Sequence, residues 1–299
     1  MMAAARELQV QGELLYDEPM SRHTSWRVGG PAETFFVPAS VDDLANFLVE
    51  LDLDTPLFWL GTGTNLLVRD SGIAGVVIAA TRMLRHLERC DELSVRAGAG
   101  VPCTQLARQC IRWQLGPSEF FAGIPGTVGG ALAMNAGAHG GETWERVTAV
   151  RTIDRGGNVH DRRPDEYEVG YRSVKGPENE WFLEAVLQFD SDVKPSMDAM
   201  KSMLERRKST QPLGLPSCGS VFRNPPGDYS ARLIEAAGLK GYRIGGAEVS
   251  TKHANFIINR DAATARDIEQ LIGHVQKTVH ESHGVELVHE VRIVGEDNS

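Results

Sequence analysis

Apolar residues along this chain recur in two rhythms, a period of 3.6 and short unbroken runs, and their succession predicts a mixed α/β molecule. Leu44, Phe47, Leu48 and Leu51 fall at i, i+3, i+4 and i+7, which predicts a helix over 42–51. The runs 34–37 and 57–60 on either side read as strands. Strands are expected next at 76–80 and 93–97, then an amphipathic helix over 104–114 that Gly116-Pro117 breaks. A hairpin pairs 147–154 with 158–160 around Arg155-Gly156-Gly157, and a strand over 181–189 closes the first half.

A polar stretch, 190–195, reads as a linker to a second half. That half opens with a helix over 195–208, whose Met197, Met200 and Leu204 read as core rather than as a cofactor box, and Gln211-Pro212 stops it. A helix over 229–237 and a strand over 254–259 follow. A long helix over 264–283 then sets Ile268, Leu271, Ile272, Val275 and Val279 on one face. The last strand is expected over 285–294, and residues 1–20 read as a poorly ordered lead-in.

Composition narrows the class. A chain of 299 residues, 41% of them apolar, can bury a large core split between two or three domains. Its net charge of −9 argues against a nucleic-acid partner, although Arg206-Arg207-Lys208 can still hold a small anion. No run approaches the length of a membrane span. Residues 1–11 lack the apolar core of a signal peptide. Cys90, Cys103, Cys110 and Cys218 show no C-x-x-C spacing. A cytoplasmic protein with reduced thiols, no metal and no membrane insertion is expected.

Chemistry enters with glycine. Gly123, Gly126, Gly129, Gly130 and Gly137 lie within one fifteen-residue run. Such density lets successive N–H groups form a concave, partly positive surface for a diphosphate, or else simply makes a turn between buried elements. The spacing is neither the Rossmann fingerprint nor a P-loop. A second Gly-x-Gly at Gly61-Thr62-Gly63, running out of a strand, is a further phosphate loop or a tight turn. Three separated residues suit chemistry. Arg172 is either a carboxylate clamp or a solvated loop arginine. Ser220, after Gly219, presents a hydroxyl at a strand rim but sits in no G-x-S-x-G elbow. Glu290 shares a face with Val288, Arg292 and Val294, and is either ion-paired, with Arg292 as one partner, or held for function.

Taken in order, these stretches resemble the UDP-N-acetylenolpyruvoylglucosamine reductases, flavoenzymes of peptidoglycan precursor synthesis. The resemblance spans 24–295. It rests on Thr24-Ser25-Trp26-Arg27-Val28-Gly29-Gly30-Pro31-Ala32 and both glycine stretches, and continues through Gly170-Tyr171-Arg172 and Gly219-Ser220-Val221-Phe222-Arg223-Asn224-Pro225. Ala237-Gly238-Leu239-Lys240-Gly241, Gly245-Gly246-Ala247-Glu248-Val249-Ser250 and Lys252-His253-Ala254-Asn255-Phe256-Ile257-Ile258-Asn259 complete it.

The resemblance implies an α+β fold: an FAD-binding fold of the vanillyl-alcohol oxidase (PCMH) type in two α/β subdomains, plus a C-terminal α/β substrate domain. The corresponding limits are a lead-in over 1–21, the FAD-binding domain over 22–190 and the substrate domain over 196–299. Gly61, Thr62, Gly63, Thr64, Asn65 and Leu66 would hold FAD with Gly123, Ile124, Gly126, Thr127, Gly129 and Gly130. No His or Cys lies in 59–71, so the flavin is expected to be non-covalent. Arg172, Ser220 and Glu290 match the family's catalytic trio, and Tyr171, Lys208, Arg223 and Asn224 match substrate contacts. The short segment 173–181 lacks the tyrosine-bearing insertion of longer members, which marks a compact subtype.

The implied reaction moves a hydride from NADPH through the FAD N5 to the enolpyruvyl β-carbon of a UDP-sugar, with Ser220 giving the α-carbon its proton. A monomer is expected. Two rivals remain. A flavin oxidase or dehydrogenase of a hydroxy acid or sugar lactone shares the first half, but has no use for 219–225 and 252–259 together. A flavin- or nucleotide-binding module would do no chemistry.

Overall fold

The computed structural model describes residues 10–296. Its first sheet begins with β1 (Glu13–Pro19), which pairs antiparallel with β2 (Pro31–Val37). The expected lead-in over 1–21 is therefore corrected: residues 13–19 are an edge strand, while 1–9 lie outside the described residues. Charged Glu13, Asp17 and Glu18 blur the alternation of β1, yet pairing to β2 supplies its backbone hydrogen bonds whatever its side chains.

Helix α1 (Val41–Glu50) follows, with Ser40 accepting from the Asp43 N–H at 3.1 Å, a cap worth about 1 kcal/mol. Its Leu44, Phe47 and Leu48 are buried. Strands β3 (Leu57–Trp59), β4 (Leu66–Val68) and β5 (Ile73–Ile78) come next. The first sheet has the order β1-β2-β5-β3, with β5 parallel to both neighbours.

A second, antiparallel sheet follows. Its strands are β6 (Leu87–Arg89) and β7 (Ser94–Gly98), then, beyond α2 (Cys103–Arg112), α3 (Val128–Met134) and the short pair β8 (Gly137–Ala138) and β9 (Gly141–Glu142), β10 (Val147–Asp154) and β11 (Val159–Arg162). A hairpin of β12 (Glu168–Gly170) and β13 (Ser173–Lys175) precedes β14 (Glu180–Gln188). The order is β11-β10-β14-β7-β6. Leu44 and Phe47 of α1 share a core with Ile153 and Leu183 of this sheet, so the two sheets are packed as one body.

Helix α4 (Met197–Thr210) lies where the second half was expected to begin, but Met200 is buried in the core that α2 and α3 fill, with Met197 and Leu204 against it. Then come α5 (Ser230–Ala236), the sheet of β15 (Arg243–Ile244), β16 (Ala247–Val249) and β17 (Ile257–Asn259), and α6 (Ala265–His283). The five apolar residues expected on one face of α6 are all buried, Thr264 caps its start and Gly284, at φ 66°, ends it. The final strand, β18 (Arg292–Val294), is shorter than expected and pairs in parallel with β4, far back in the chain. Residues 24–28 reciprocate. Trp26 is buried in the C-terminal core, its indole N–H donating to Ile257 O at 2.7 Å.

Candidate active site

Both glycine loops, Arg172, Ser220 and Glu290 line one cavity of about 770 Å³, a size usual for small-molecule sites. The first loop leaves β3 and turns at Gly63, whose φ is +63°. A Cβ there would stand 2.0 Å from His23 O, so only glycine fits. Ser25 N–H bonds Gly63 O at 3.0 Å, and the Cys218 thiol lies 3.3 Å from Leu66 O. Burial pushes that thiol up to about 12, which makes it an inert packing group. No hydrogen bond to another described residue engages the backbone N–H groups of 61–65. The second loop faces the first, with Thr64 Oγ1 donating to Pro125 O at 3.0 Å. Not all of its donors are open: Val128 and Gly129 give theirs to Val101 and Ala99 at 2.9 and 2.8 Å. Gly126 (φ +132°) lies across from Thr64.

Pairing of β18 with β4 brings Glu290 to this cavity. Asn65 Nδ2 donates to Glu290 O at 2.9 Å, and Glu290 N–H donates to Val221 O at 2.8 Å. That last bond sets Glu290 against the neighbour of Ser220. Val221 is itself held by Asn255 O at 2.9 Å, and Phe222 exchanges hydrogen bonds with the Asn255 side chain at 3.0 and 2.8 Å. Ser220 thus sits on a rigid segment, half-buried, after Gly219 at φ +65°.

Arg172 arrives from the β12–β13 hairpin. It is the second residue of a two-residue turn and carries φ +53°, a conformation normally given to glycine or asparagine. Its Nε donates to Glu290 Oε1 at 3.2 Å, Nη1 to Asn135 O at 3.2 Å and Nη2 to Gly137 O at 2.9 Å. A guanidinium has five N–H donors, so one remains on each terminal nitrogen for an incoming oxygen. The partner of Glu290 is therefore Arg172 rather than Arg292.

The two side chains are only 16% and 18% exposed. Burial raises the Glu290 pKa above the ordinary carboxylate range, and the positive charges of Arg172 and Arg223 only partly oppose this. A carboxyl whose pKa is raised by folding adds stability that is full below about pH 4.3 and fades as pH rises through its folded value. Glu290→Gln, a neutral isostere, should therefore melt with wild type near pH 4 and above it at about pH 8. Thermal unfolding at the two pH values checks this, and a lower melting point for the variant at the higher pH contradicts it.

The remaining expected contacts stand outside the cavity lining. Tyr171 is half-exposed with its ring centroid 5.0 Å from Arg172 Cζ. Asn224 Oδ1 accepts the Ser230 N–H at 3.2 Å at the start of α5. Lys208 is exposed on α4, and Arg223, whose charge acts on Glu290, buries its Nε without a hydrogen-bond partner among the described residues. The cavity is instead lined by Arg206, Arg207 and His139. Burial lowers the Arg207 pKa, and neither arginine has an ion-pair partner among the described residues. Burial and these two arginines depress the His139 pKa. Among the described residues no His, Cys, Asp and Glu cluster could hold a metal, and no helix is long and apolar enough to cross a membrane.

Comparison with known proteins bears on the same regions. Residues 32–162 match the family described as FAD binding domain, and 211–294 match the C-terminal domain of UDP-N-acetylenolpyruvoylglucosamine reductase. A protein of that name from Alkalilimnicola ehrlichii is 57% identical over 300 residues, covering 100% of both chains. Another, from Methylococcus capsulatus, is 55% identical over 98% of this chain and 97% of its own. The crystal structure of the reductase from Thermus caldophilus superposes with a TM-score of 0.79 at 31% identity, covering 95% of this chain and 99% of that one.

Proposed function

The chain belongs to the UDP-N-acetylenolpyruvoylglucosamine reductases, and from that premise we propose how its cavity works. It is an FAD-dependent oxidoreductase that reduces the enolpyruvyl group of UDP-N-acetylenolpyruvoylglucosamine to give UDP-N-acetylmuramate for peptidoglycan synthesis. The single observation that carries the residue-level reading is the convergence of Arg172, Glu290 and Ser220 on the cavity that both glycine loops line.

FAD fits this cradle. Five successive N–H groups over 61–65 have no hydrogen-bond partner among the described residues, Gly61 and Gly130 have open space where a Cβ would stand, and the cavity has the volume for a large ligand. Gly61, Thr62, Gly63, Thr64, Gly126 and Thr127 would hold its diphosphate and ribityl chain without a covalent bond. When bound, FAD would supply the hydride-transfer chemistry that links NADPH to the enolpyruvyl group.

The chain's own residues do the rest. Negative charge builds on the substrate carboxylate during reduction. Arg172 meets it with its two remaining N–H groups, an interaction stronger in the transition state than in the ground state. Glu290, held by Arg172 Nε at 3.2 Å, stands beside the same carboxylate; burial raises its pKa, and in its protonated form it would donate to that carboxylate. Ser220 Oγ holds the proton that the α-carbon receives. Arg206 and Arg207, which have no ion-pair partner among the described residues, would meet the phosphates of the nucleotide ligands in the cavity, while Tyr171, Lys208, Arg223 and Asn224, outside its lining, would contact parts of the substrate that reach beyond it. The protein acts as a cytoplasmic monomer in this reading.

Purified protein is expected to be yellow and to release intact FAD on denaturation. NADPH with the enolpyruvyl sugar should give a product two hydrogens heavier by mass spectrometry. Flavin retained on the denatured polypeptide contradicts the non-covalent assignment, and colourless protein that takes up no FAD contradicts the whole reading.

A further inference from the structure

Arg172 is aimed by a residue that no motif singles out. Asn135 ends α3, the helix that follows the second glycine loop, with φ 45° and ψ 53°, and is 2% exposed. Its Oδ1 accepts from Trp144 N–H at 3.1 Å. Its Nδ2 donates to Glu142 Oε2 at 2.7 Å and to Gly170 O at 3.2 Å. Its own carbonyl accepts from Arg172 Nη1 at 3.2 Å, and Glu142 Oε1 lies 4.0 Å from the same nitrogen. Gly170 is two residues before Arg172, at the end of β12. Asn135 therefore touches both the root of the Arg172 turn and the tip of its guanidinium.

We propose that Asn135, together with Glu142, is a positioning residue that fixes the Arg172 guanidinium relative to the glycine-loop helix. The proposal rests on the reading of Arg172 as the cation that faces the substrate carboxylate. The competing account is that Asn135 is only a left-handed helix end, a place glycine or asparagine commonly takes. The two accounts separate because the backbone needs only a residue tolerant of positive φ, whereas the network needs an amide. Only an amide can accept from Trp144 while donating to Glu142 and Gly170.

Asn135→Asp keeps the left-handed tolerance and the Trp144 bond. It removes the donor and sets a carboxylate against Glu142 and the Gly170 carbonyl. Displacing a catalytic cation by about an ångström costs roughly 10²-fold in rate. The variant should thus show FAD affinity and a rate of flavin bleaching by NADPH near wild type, a KM for the enolpyruvyl sugar little changed, and kcat about 10²-fold lower. In Asn135→Asp/Glu142→Gln the glutamine amide can donate back to the new carboxylate, rebuilding the bond with reversed polarity. It should recover about tenfold of the loss, which a mere fold defect would not do.

A crystal structure of Asn135→Asp tests the positioning apart from any activity, since Arg172 should leave Gly137 O. Wild-type kcat in Asn135→Asp, an unmoved guanidinium, or equal slowing of both half-reactions without rescue would overturn the proposal. If the sugar fails to reoxidise the wild-type flavin, the functional reading itself has failed. A displaced guanidinium would then still report the positioning.

Discussion

Ser220→Ala is expected to divide the catalytic cycle in two. Bleaching of the flavin by NADPH needs no proton on a substrate carbon, so its rate should stay near wild type. Reoxidation by the enolpyruvyl sugar should slow by about 10²–10⁴-fold, the usual reach of a positioned general acid. The structure argues against a fold defect in this variant. Ser220 is half-buried, its neighbours Cys218 and Val221 carry the packing, and the segment is held through Asn255 rather than through the serine hydroxyl. Ser220→Cys should retain part of the rate, because a thiol can deliver a proton from nearly the same place. Stopped-flow measurement of both half-reactions decides the matter. Equal slowing in the two would mean that the flavin or the fold was disturbed, and the proton-donor assignment would fall.

Arg172→Lys should cost about 10²–10³-fold in kcat, the scale of losing one preorganised donor at developing charge. Lysine keeps the charge but not the planar fork. It cannot at once replace the bonds to Glu290 at 3.2 Å, Asn135 at 3.2 Å and Gly137 at 2.9 Å, so its ammonium is no longer aimed. A lysine meets the positive φ on the same terms as arginine, so the hairpin should survive. Because the proposed role of the guanidinium is stabilisation of the transition state, kcat should fall more than substrate affinity. A variant that raises only KM, with kcat unchanged, would show uniform binding and refute the role.

Periodicity revealed those elements whose signals are local. Helices α1 and α6 carry capping Ser40 and Thr264 just before a stripe of apolar residues, and the β10–β11 hairpin carries its own Gly-Gly turn. What the sequence hid was long-range. Strand β1 is an edge strand whose charged Glu13, Asp17 and Glu18 fall on both faces among Leu14 and Leu15, so nothing in its own pattern separates it from a lead-in. Helix α3 lies inside the glycine run, where propensity argues against a helix, and is stabilised by burying Val128, Ala131 and Leu132. The parallel β18–β4 pair joins Arg292–Val294 to Leu66–Val68, far apart in the chain, and with it comes the Glu290–Arg172 contact that sequence alone had left open.

The candidate site was legible in its residue types through resemblance, and much less so in its geometry. Asn65 stands in the loop that the resemblance assigns to the flavin, yet its side-chain amide donates to the Glu290 carbonyl at 2.9 Å. Lys208 follows Arg207 on α4, and the turn of about 100° per residue carries it out of the cavity lining that Arg206 and Arg207 share. Asn135 lies within the glycine run and nothing in the sequence singles it out. Its role depends on αL geometry and on partners that approach from two separate segments.

The most direct test is an anaerobic titration of the purified, FAD-loaded protein, first with NADPH and then with UDP-N-acetylenolpyruvoylglucosamine. The yellow absorbance should bleach on the first addition and return on the second without oxygen, as the sugar is consumed. Flavin that hydroxy acids or sugar lactones bleach without NADPH would point to an oxidase or dehydrogenase on the same fold. Flavin that neither ligand changes would leave only a binding module, and flavin that bleaches but stays bleached after the sugar would contradict the proposed reduction.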